Sequence, residues 1–406
     1  MLSGNPGHYD KDKGLPVRTD GSWISSLQEY ILRERSDVKL GLFFIRGDGT
    51  FRKELNNTIY YNTPKPSKIF SLRNIINFST IDNYYLEYIK NAVEDFNPDI
   101  IEVFGSETVL GLVYKVTKKP IILHIQGIMV PYYDAWYPPL FSERNVFSKQ
   151  GGTFVSKWRD KKYLNHQVSR EKDILHNIKY YFGRTTWDRD VIKILSPNSN
   201  YFYCSEMLRE NFLKIKDGWT FKNRQKIHLI SVISDAIYKG CDVILKIAEL
   251  LTQMNVDYEW NICGISEMKT IEAITRLNHT NYNIELRGKV DSKALCELIL
   301  DSSVYVHMAY IENSPNSVCE AQMLGIPVVA ANVGGVSSLI QDGYNGFLVP
   351  ANDRFTAAAR ILKLATDEET ATSISRNARI TAQYRHDPNR ILEDLFNAFS
   401  HILNRV

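Results

Sequence analysis

The sequence predicts an α/β protein that consists of two doubly wound domains. Its 406 residues are more than one hydrophobic core usually supports, so two domains of about 200 residues are expected. Short β-branched runs alternate with amphipathic stretches, as in a parallel sheet covered by helices on both faces. A polar, charge-rich segment, residues 214–226, separates two such series and indicates the junction between the domains.

Predicted strands and helices alternate on both sides of this junction. The strand candidates are 38–45, 100–104, 121–125, 227–233, 259–263, 304–307 and 328–331. Apolar side chains recur at helical spacing in 83–96, 242–254 and 292–300. Pro388 opens a last predicted helix. We therefore expect domains at 1–213 and 227–385, joined by a linker at 214–226.

The composition is that of an ordinary globular protein, with 44% apolar and 23% charged residues. A net charge of +3 is too small for a protein that binds nucleic acid by neutralising phosphates. The five cysteines show no zinc-ligand spacing and are expected to be reduced. Because the sequence shows neither a long apolar run nor a signal peptide, the expected location is the cytoplasm.

The most informative stretch is 304–350, where a strand, a loop with Glu312 and a helix that starts near Asn316 follow one another. A helix start offers free N–H groups and a positive dipole end to an anion such as a diphosphate. Glu312 and Glu320 flank that start, so their carboxylates can bracket one ligand and accept hydrogen bonds from its hydroxyls. Two glutamates at this spacing alone are usually solvated side chains, and the flanking residues change that balance.

This stretch strongly resembles retaining glycosyltransferase family 4, the group 1 transferases of GT-B architecture, which include many polysaccharide enzymes. The matching positions are Glu312, Glu320, Ala321, 325–329, Gly334, Gly335, Asp342, Gly343 and 346–349. The resemblance implies two Rossmann-like domains that face each other across a cleft, with an acceptor-side domain at 1–213 and a nucleotide-sugar-binding domain at 227–385. It also implies that the C-terminal helix, within 386–406, packs back on the first domain.

The resemblance implies a role for each matched residue of the second domain. Glu312 would bind hydroxyls of the donor sugar, Glu320 would bind the nucleotide ribose, and a backbone segment would meet the diphosphate. That segment is Ser314, Pro315, Asn316, Ser317 and Val318. Residues 231–245 resemble the family's phosphate loop, which puts Lys239 beside the diphosphate. The family usually has an arginine where this chain has Ser234, so Lys239 is the principal cation, or Arg287 or another basic residue compensates.

A histidine carries the resemblance in the first domain. Residues 99–107 and 120–127 are similar to the family's strand-plus-histidine signatures. His124 leaves the carboxyl end of a buried strand, where ligands of open α/β sheets bind. The resemblance therefore implies that His124, with Gln126 beside it, contacts the donor sugar near the reaction centre.

The loop that contains Gly21 and Ser22 resembles the family's first loop, where a Gly-Gly pair lets the backbone approach the phosphates. Both residues are expected to bind the donor, with Ser22 replacing the second glycine. The family opens with a buried strand immediately before this loop, whereas here turn residues follow Met1 and Leu2. We therefore expect the upstream reading frame to encode a short segment rich in Ile, Leu and Val.

Two segments outside the matched motifs are interpreted conservatively. Asp188-Arg189-Asp190 imitates a metal-binding D-x-D motif, but it follows Thr185 as the charged first turn of a helix, and no metal is expected. Residues 135–162 combine aromatic and basic side chains without a clear period at their start. They are either an acceptor-facing loop that approaches a lipid-linked diphosphate at a membrane surface or an ordinary solvated insertion.

The resemblance implies a retaining, metal-independent, hexosyltransferase-type enzyme that needs no cofactor. It would move a sugar from a nucleotide-diphosphate donor to a glycan or lipid-linked acceptor in bacterial capsular, exopolysaccharide or lipopolysaccharide biosynthesis, with peripheral contact to the inner membrane surface. No carboxylate nucleophile is evident in the first half, which favours front-face substitution over double displacement. Two alternatives stay open: a nucleotide-sugar 2-epimerase of GT-B architecture, and a non-catalytic sugar-nucleotide-binding relative, suggested by Ser22 and Ser234.

Overall fold

The computed structural model describes residues 1–4, 7, 9, 22–46 and 51–405. The chain divides into two compact units. Unit 1 consists of Met1–Tyr133, Gly152–Met207 and Asp387–Val406, and unit 2 consists of Asp134–Gly151 and Leu208–His386. Each unit has its own parallel sheet with helices packed on it, so the predicted α/β class with two doubly wound domains is confirmed.

The regular elements alternate along the chain. The strands are β1 (Leu40–Ile45), β2 (Arg52–Leu55), β3 (Thr58–Thr63), β4 (Ile101–Phe104), β5 (Ile121–His124), β6 (Tyr180–Gly183), β7 (Asn200–Tyr203), β8 (Ile227–Val232), β9 (Tyr258–Cys263), β10 (Ile284–Gly288), β11 (Val304–His307), β12 (Val328–Ala331) and β13 (Phe347–Val349). The α-helices are α1 (Trp23–Glu34), α2 (Lys68–Arg73), α3 (Phe78–Phe96), α4 (Met129–Asp134), α5 (Glu143–Lys149), α6 (Phe154–Asn177), α7 (Thr186–Leu195), α8 (Glu210–Leu213), α9 (Cys241–Gln253), α10 (Lys269–Thr275), α11 (Ser292–Asp301), α12 (Asn316–Leu324), α13 (Arg354–Thr366), α14 (Glu368–Arg385) and α15 (Pro388–Leu403). Short 3₁₀ turns cover Val109–Lys115, Ile237–Lys239, His279–Asn281 and Val336–Ser338.

The first residues of the chain connect two groups of strands in unit 1. The orders are β2-β3-β1 and β4-β5-β6-β7, and every pair is parallel except β2 with β3. Leu2 forms parallel bridges to Phe43 of β1 and to Val103 of β4. Its N–H donates to the Glu102 carbonyl at 2.7 Å, and its own carbonyl accepts from Phe104 N at 2.9 Å. Leu2 thus lies between β1 and β4, and the expectation about the upstream reading frame stays a prediction.

The last helix, α15, belongs to unit 1. Its buried face is apolar and consists of Ile391, Leu392, Leu395, Ala398 and Ile402. The Phe399 ring packs 5.9 Å from Phe182 of β6, and the Arg35 guanidinium lies 3.7 Å above the Phe396 ring. Burial of this amphipathic face explains why α15 packs on unit 1 although α14 belongs to unit 2.

Unit 2 is built on six parallel strands in the order β10-β9-β8-β11-β12-β13, which is the order of a doubly wound nucleotide-binding sheet. All four residues of β11 and of β12 are buried, as expected for central strands that are covered on both faces. On the flanking helix α9, Val243, Ile247 and Leu251 are fully buried at helical spacing.

The expected domain boundaries differ from the observed units in three places, of which the first is that residues 208–213, expected in the first domain, belong to unit 2. Asp134–Gly151 belongs to unit 2, because Phe141 and Val146 enter the unit 2 core and Trp136 packs 5.3 Å from Tyr238. Residues 214–226 contain neither helix nor strand, yet they are not a free linker. Trp219 is buried in the unit 2 core, and its indole N–H donates to the Ser302 carbonyl at 2.6 Å.

Residues 135–162 are partly helical, because they contain α5 and the first turns of α6, and both interpretations of this segment stay open. Ser142 closes a capping box with Asn145 at the start of α5, and Thr153 caps α6. The capping residues Ser142 and Thr153 are local sequence signals for helix starts, and an interpretation based on aromatic and basic composition does not use them. Within the described part of the chain, the helices are all too short or too polar to span a lipid bilayer.

Candidate functional site

The candidate donor site lies at the carboxyl edge of the unit 2 sheet. The strands β8 and β11 are neighbours, and each leads into a segment with a predicted site residue. Lys239 ends the turn after β8, and Glu312 lies in the loop between β11 and α12. Since the carboxyl ends of neighbouring parallel strands meet at one edge, the topology brings Lys239 and Glu312 together.

Glu312 is an ionised carboxylate held by two basic groups. Lys239 Nζ donates to Glu312 Oε1 at 2.5 Å, and His307 Nε2 lies 3.4 Å from the same oxygen. The side chain of Glu312 is only 6% exposed. Burial acts to raise the pKa of Glu312, but the Lys239 ammonium and the His307 ring outweigh it and lower that pKa to about 2. Glu312 is therefore a permanent hydrogen-bond acceptor at neutral pH.

Two glycines permit the close approach of these segments. Gly240, directly after Lys239, has a φ of +78°, and a Cβ there would collide with the carbonyl of Met308 at the end of β11. Gly334 has a φ of +50°, and a Cβ there would collide with the Glu312 carbonyl. That carbonyl accepts a hydrogen bond from Gly335 N at 2.9 Å. The matched Gly-Gly pair thus fixes the backbone of the Glu312 loop.

The helix start predicted near Asn316 is confirmed, and it has the chemistry of an anion site. Pro315 is the N-cap of α12, and it makes no side-chain capping hydrogen bond. Val318 N donates back to the Pro315 carbonyl at 2.9 Å, while the N–H groups of Asn316 and Ser317 precede the first helical hydrogen bonds. Buried Ser314 places its Oγ 3.7 Å from Cys319 Sγ. The first amides of α12 can therefore bind a diphosphate.

Glu320 lies further along α12, and an arginine binds both of its carboxylate oxygens. Arg209 Nε donates to Oε1 at 2.7 Å, and Arg209 Nη2 donates to Oε2 at 2.8 Å. The Glu320 side chain is 6% exposed and that of Arg209 is 19% exposed. The contact is a bidentate, charge-assisted pair, which is stronger and more directional than a single hydrogen bond.

Arg287 does not replace the arginine that the family usually has at the position of Ser234. Ser234 is an exposed residue of the loop after β8. Arg287 lies on the edge strand β10, two strands from β8, where Nε donates to Asn261 Oδ1 at 2.7 Å and Nη2 lies 2.8 Å from Glu285 Oε2. The structure therefore brings Lys239, but not Arg287, to Glu312.

In unit 1, His124 ends β5 as predicted, and a buried carboxylate orients its ring. His124 Nδ1 lies 3.0 Å from Glu102 Oε1 on β4, and both side chains are almost fully buried. Rings of Trp23, Phe104 and Phe182 surround the imidazole at centroid distances of 4.9, 5.5 and 5.2 Å. His124 Nε2 has no hydrogen-bond partner within the described residues. This nitrogen is buried, because the side chain of His124 has no exposed area.

The remaining predicted residues of unit 1 have mixed outcomes. Ser22 is the N-cap of α1, and its Oγ accepts from Ser25 N at 3.4 Å. Gly21 lies outside the described residues. The Gln126 carbonyl accepts from Arg184 Nη2 at 2.9 Å. Asp188 forms the predicted first turn of a helix, because it closes a capping box with Thr185 at the start of α7.

A cavity of about 500 Å³ opens at the carboxyl edge of the unit 1 sheet. Three aromatic residues and several polar residues contribute to its lining, among them Phe78, Tyr85, Tyr163, Glu107, Gln167 and Arg170. Glu107 Oε2 and Arg170 Nε are buried atoms with no hydrogen-bond partner in the described chain. Burial raises the pKa of Glu107 to about 7. Aromatic faces beside unsatisfied polar atoms suit a ligand with both apolar faces and hydroxyl groups.

Three functional candidates are absent from the sequence-based prediction: His307, Arg209 and Glu102. His307 ends a predicted strand directly before the Glu312 loop, which is the signal that identified His124. Glu102 is a charged residue inside an otherwise apolar strand, so the sequence also indicates that its carboxylate requires a polar partner. Arg209 gives no local signal, because its partner is 111 residues away.

Comparison with known proteins identifies the unit that carries this site. Residues 214–381 match the family model of glycosyl transferases group 1. This segment is a group 1 glycosyltransferase domain. It contains Lys239, Glu312 and Glu320, together with the helix start at Asn316. Membership of family 4 in particular stays a prediction.

Curated relatives of this glycosyltransferase domain match part of the chain. The putative colanic acid biosynthesis glycosyltransferase WcaL of Salmonella typhimurium is 27% identical over 161 residues, 38% of this chain and 40% of the relative. The poly(ribitol-phosphate) alpha-N-acetylglucosaminyltransferase of Staphylococcus aureus is 25% identical over 257 residues, 58% of this chain and 52% of the relative. The chain thus spans about half the length of the curated relatives it matches.

Solved structures establish the fold over nearly the whole chain. The sucrose-phosphate synthase of Thermosynechococcus elongatus aligns with a TM-score of 0.69 at 14% identity, covering 95% of this chain and 93% of that one. Anabaena Alr3699/HepE in complex with UDP-glucose aligns with a TM-score of 0.62 at 16% identity, covering 99% and 98%. The fold is therefore that of the GT-B glycosyltransferases.

Proposed function

We propose that this chain is a retaining glycosyltransferase that moves a sugar from a nucleoside-diphosphate donor to a hydroxyl of a glycan or lipid-linked glycan. The observation that carries the proposal is the Lys239–Glu312 pair in the segments that lead to the start of α12, where the N-cap Pro315 makes no side-chain capping hydrogen bond. One edge of unit 2 then offers a cation and amides to a diphosphate and an ionised carboxylate to sugar hydroxyls. Relatives named for colanic acid and capsular polysaccharide biosynthesis suggest a surface polysaccharide as the product.

In the proposed reaction the main catalytic contribution is stabilisation of the leaving diphosphate. Lys239 and the first amides of α12 receive the negative charge that develops as the glycosidic bond breaks. Glu312 holds hydroxyls of the transferred sugar, and Glu320 holds the ribose. His124 contacts the transferred sugar, as the resemblance implies. The acceptor hydroxyl attacks C1 of the sugar from the face that the diphosphate leaves, and its proton passes to the departing phosphate oxygen. This course retains the anomeric configuration, and no metal takes part.

The cavity in unit 1 is the proposed site of an acceptor sugar. Its aromatic residues would pack on the apolar face of a pyranose, and Glu107 and Gln167 would bind hydroxyls. A Tyr163→Ala change should raise KM for the acceptor about tenfold and leave the Kd of the nucleotide unchanged. Tyr133, which is similarly exposed, serves as the control. A change in nucleotide Kd without a change in acceptor KM would assign the cavity otherwise.

The activity is tested by incubating the full chain with a panel of nucleoside-diphosphate sugars, with and without oligosaccharide or polyprenyl-linked acceptors. Thermal stabilisation identifies the donor, because a bound ligand raises the free energy of unfolding. Proton NMR of the product should then show the anomeric configuration of the donor, also in the presence of EDTA. Inversion, dependence on a metal, or epimerisation of the donor without an acceptor would each contradict the proposal, as would binding without turnover on any acceptor.

A further inference from the structure

A short segment from the first half of the chain lies against the turn that carries Lys239. Residues Asp134–Gly151 belong to unit 2, where two buried apolar side chains of this segment enter the core. Near the start of the segment, the Trp136 ring packs 5.3 Å from the Tyr238 ring. Tyr238 directly precedes Lys239, so the contact between the two rings lies beside the proposed phosphate-binding lysine.

The Tyr238 ring connects Trp136 with the charged pair of the donor site. Lys239 Nζ lies 5.5 Å from the centroid of this ring, within the range of a cation–π contact. The same ammonium donates to Glu312 Oε1 at 2.5 Å. Burial raises the pKa of the Tyr238 hydroxyl, the Lys239 ammonium acts against that shift, and the Glu312 carboxylate adds to it. The Tyr238 side chain therefore lies in the electrostatic field of both charged groups.

Tyr238 is held at its backbone as well as at its ring. Its carbonyl accepts a hydrogen bond from Tyr310 N at 2.8 Å, two residues before Glu312. A lysine has a flexible four-carbon stem, so a fixed aromatic face restricts the position of its ammonium. An ammonium has three N–H groups, which allows Lys239 to contact a carboxylate and a phosphate together. A lysine held in this position before the ligand arrives loses less entropy on binding.

We infer that Trp136 is a positioning residue of the donor site: its ring holds Tyr238 so that the Lys239 ammonium meets the diphosphate. The inference rests on the proposed function, which has a diphosphate at Lys239. It adds a residue from outside the matched segment 214–381 to the donor site. Loss of the Trp136 ring should therefore weaken the phosphate contact of Lys239 and leave the nucleoside contacts unchanged.

A merely structural role for Trp136 would produce a different result. Loss of a half-buried aromatic ring lowers the free energy of unfolding, whatever the ring does for a ligand. Thermal stability alone therefore does not distinguish the two roles. A double-mutant cycle with Lys239 does, because residues that act through one contact have non-additive effects on binding, whereas the effects of independent residues add.

The experiment uses the full chain and titration calorimetry. UDP, GDP, ADP and CDP are tested first, and the tightest ligand is then compared with its nucleoside. Trp136→Ala should weaken binding of the diphosphate about fivefold and binding of the nucleoside less than about twofold. In the Lys239→Ala background the same change should have almost no further effect, and Trp136→Phe, which keeps a ring, should bind nearly as the wild type does.

A second variant covers the case in which Trp136→Ala does not fold. Tyr238→Leu keeps apolar bulk beside Trp136 but removes the aromatic face from Lys239. It should weaken binding of the diphosphate at least as much as Trp136→Ala does, again without a comparable loss for the nucleoside. The control is Phe221→Ala, which removes another aromatic contact with a tryptophan of unit 2, Trp219, at 6.4 Å. It should leave both Kd values as in the wild type.

The possible outcomes separate the inference from the proposed function. Equal losses for the diphosphate and the nucleoside in Trp136→Ala would overturn the inference while the proposed function stands. The same holds for an unchanged diphosphate Kd, or for a loss that is as large in the Lys239→Ala background as in the wild type. A wild-type chain that binds none of the four nucleotides would overturn the proposed function and the inference with it.

Discussion

Both units place a glutamate at the carboxyl edge of a sheet, but the two carboxyl groups lie in opposite electrostatic environments. Glu312 in unit 2 has Lys239 and His307 as neighbours, and its pKa is lowered to about 2. Glu107 follows β4 in unit 1, where burial raises its pKa to about 7 although Arg170 and Arg184 act against the shift. Similar positions at two sheet edges have thus acquired opposite preferences for a proton.

The difference between the two carboxyl groups suggests that the two units bind different kinds of ligand. A permanently charged carboxylate beside a lysine suits a ligand that brings both hydroxyls and phosphates. A carboxyl group that is about half protonated near pH 7 can donate as well as accept, which suits a neutral polyhydroxy ligand. The comparison is therefore consistent with a donor site in unit 2 and an acceptor site in unit 1, as proposed.

The largest expected effect tests the charged side of the comparison. Glu312→Gln keeps the shape of the side chain but removes the charge that holds sugar hydroxyls. We expect kcat/KM for transfer to fall by about 1000-fold, with an unchanged far-ultraviolet circular dichroism spectrum. Glu320→Gln should also remove most of the activity. Glu249→Gln, at a partly exposed glutamate of the same unit, is the control, and near-normal kcat/KM in both site variants would refute the assignment.

The second prediction tests the neutral side. The pKa of Glu107 is about 7 in the folded chain, whereas its ordinary value, which we take for the unfolded chain, is 4.5. At pH values between 4.5 and 7 the folded chain therefore binds more protons than the unfolded chain. Stability from this group is fully present below pH 4.5 and is lost as the pH rises through 7, by on the order of 3 kcal/mol. Urea unfolding at pH 5 and pH 8 should show a smaller difference in Glu107→Gln than in the wild type. Glu94→Gln, on exposed surface of α3, should keep the full difference.

A third prediction concerns the cation of unit 2. Lys239→Ala should weaken binding of a nucleoside diphosphate about 20-fold and binding of the nucleoside itself hardly at all, because the proposed partner of Lys239 is phosphate. Calorimetric Kd values for UDP and uridine, or for the preferred base, give the two losses. Lys246→Ala, which breaks the pair with Asp242, is the matched control. Equal losses for both ligands would place Lys239 elsewhere.

The smallest expected effect is that of Arg287→Ala, and it tests whether Lys239 binds the diphosphate without help from Arg287. Arg287 is paired with Asn261 and Glu285 on the edge strand β10. Arg287→Ala should therefore change the Kd of the nucleoside diphosphate by less than about twofold, as expected of a surface ion pair. A loss similar to that of Lys239→Ala would show that Arg287 moves to the phosphate when the ligand binds.

The sequence was most informative where local pattern and tertiary structure agree. The strands at 304–307 and 328–331 match β11 and β12 because they are short, apolar and bounded by loop residues. The aromatic strands β6 and β7 carry no clear alternation and were not predicted. Partners far apart in sequence, such as Arg209 and Glu320, were not predicted either, because only the fold brings them together. The role of Lys239 was predicted from its motif, and its contact with Glu312 required the structure.

In the proposed donor site, Glu312 binds the transferred sugar while Lys239 and α12 bind the diphosphate. Calorimetry of the wild type and of Glu312→Gln with the preferred nucleoside-diphosphate sugar and with the free nucleoside diphosphate tests it directly. We predict that the variant loses about tenfold or more in affinity for the nucleotide sugar but less than about threefold for the free diphosphate. Equal losses for the two ligands, or no loss for the nucleotide sugar, would contradict the account.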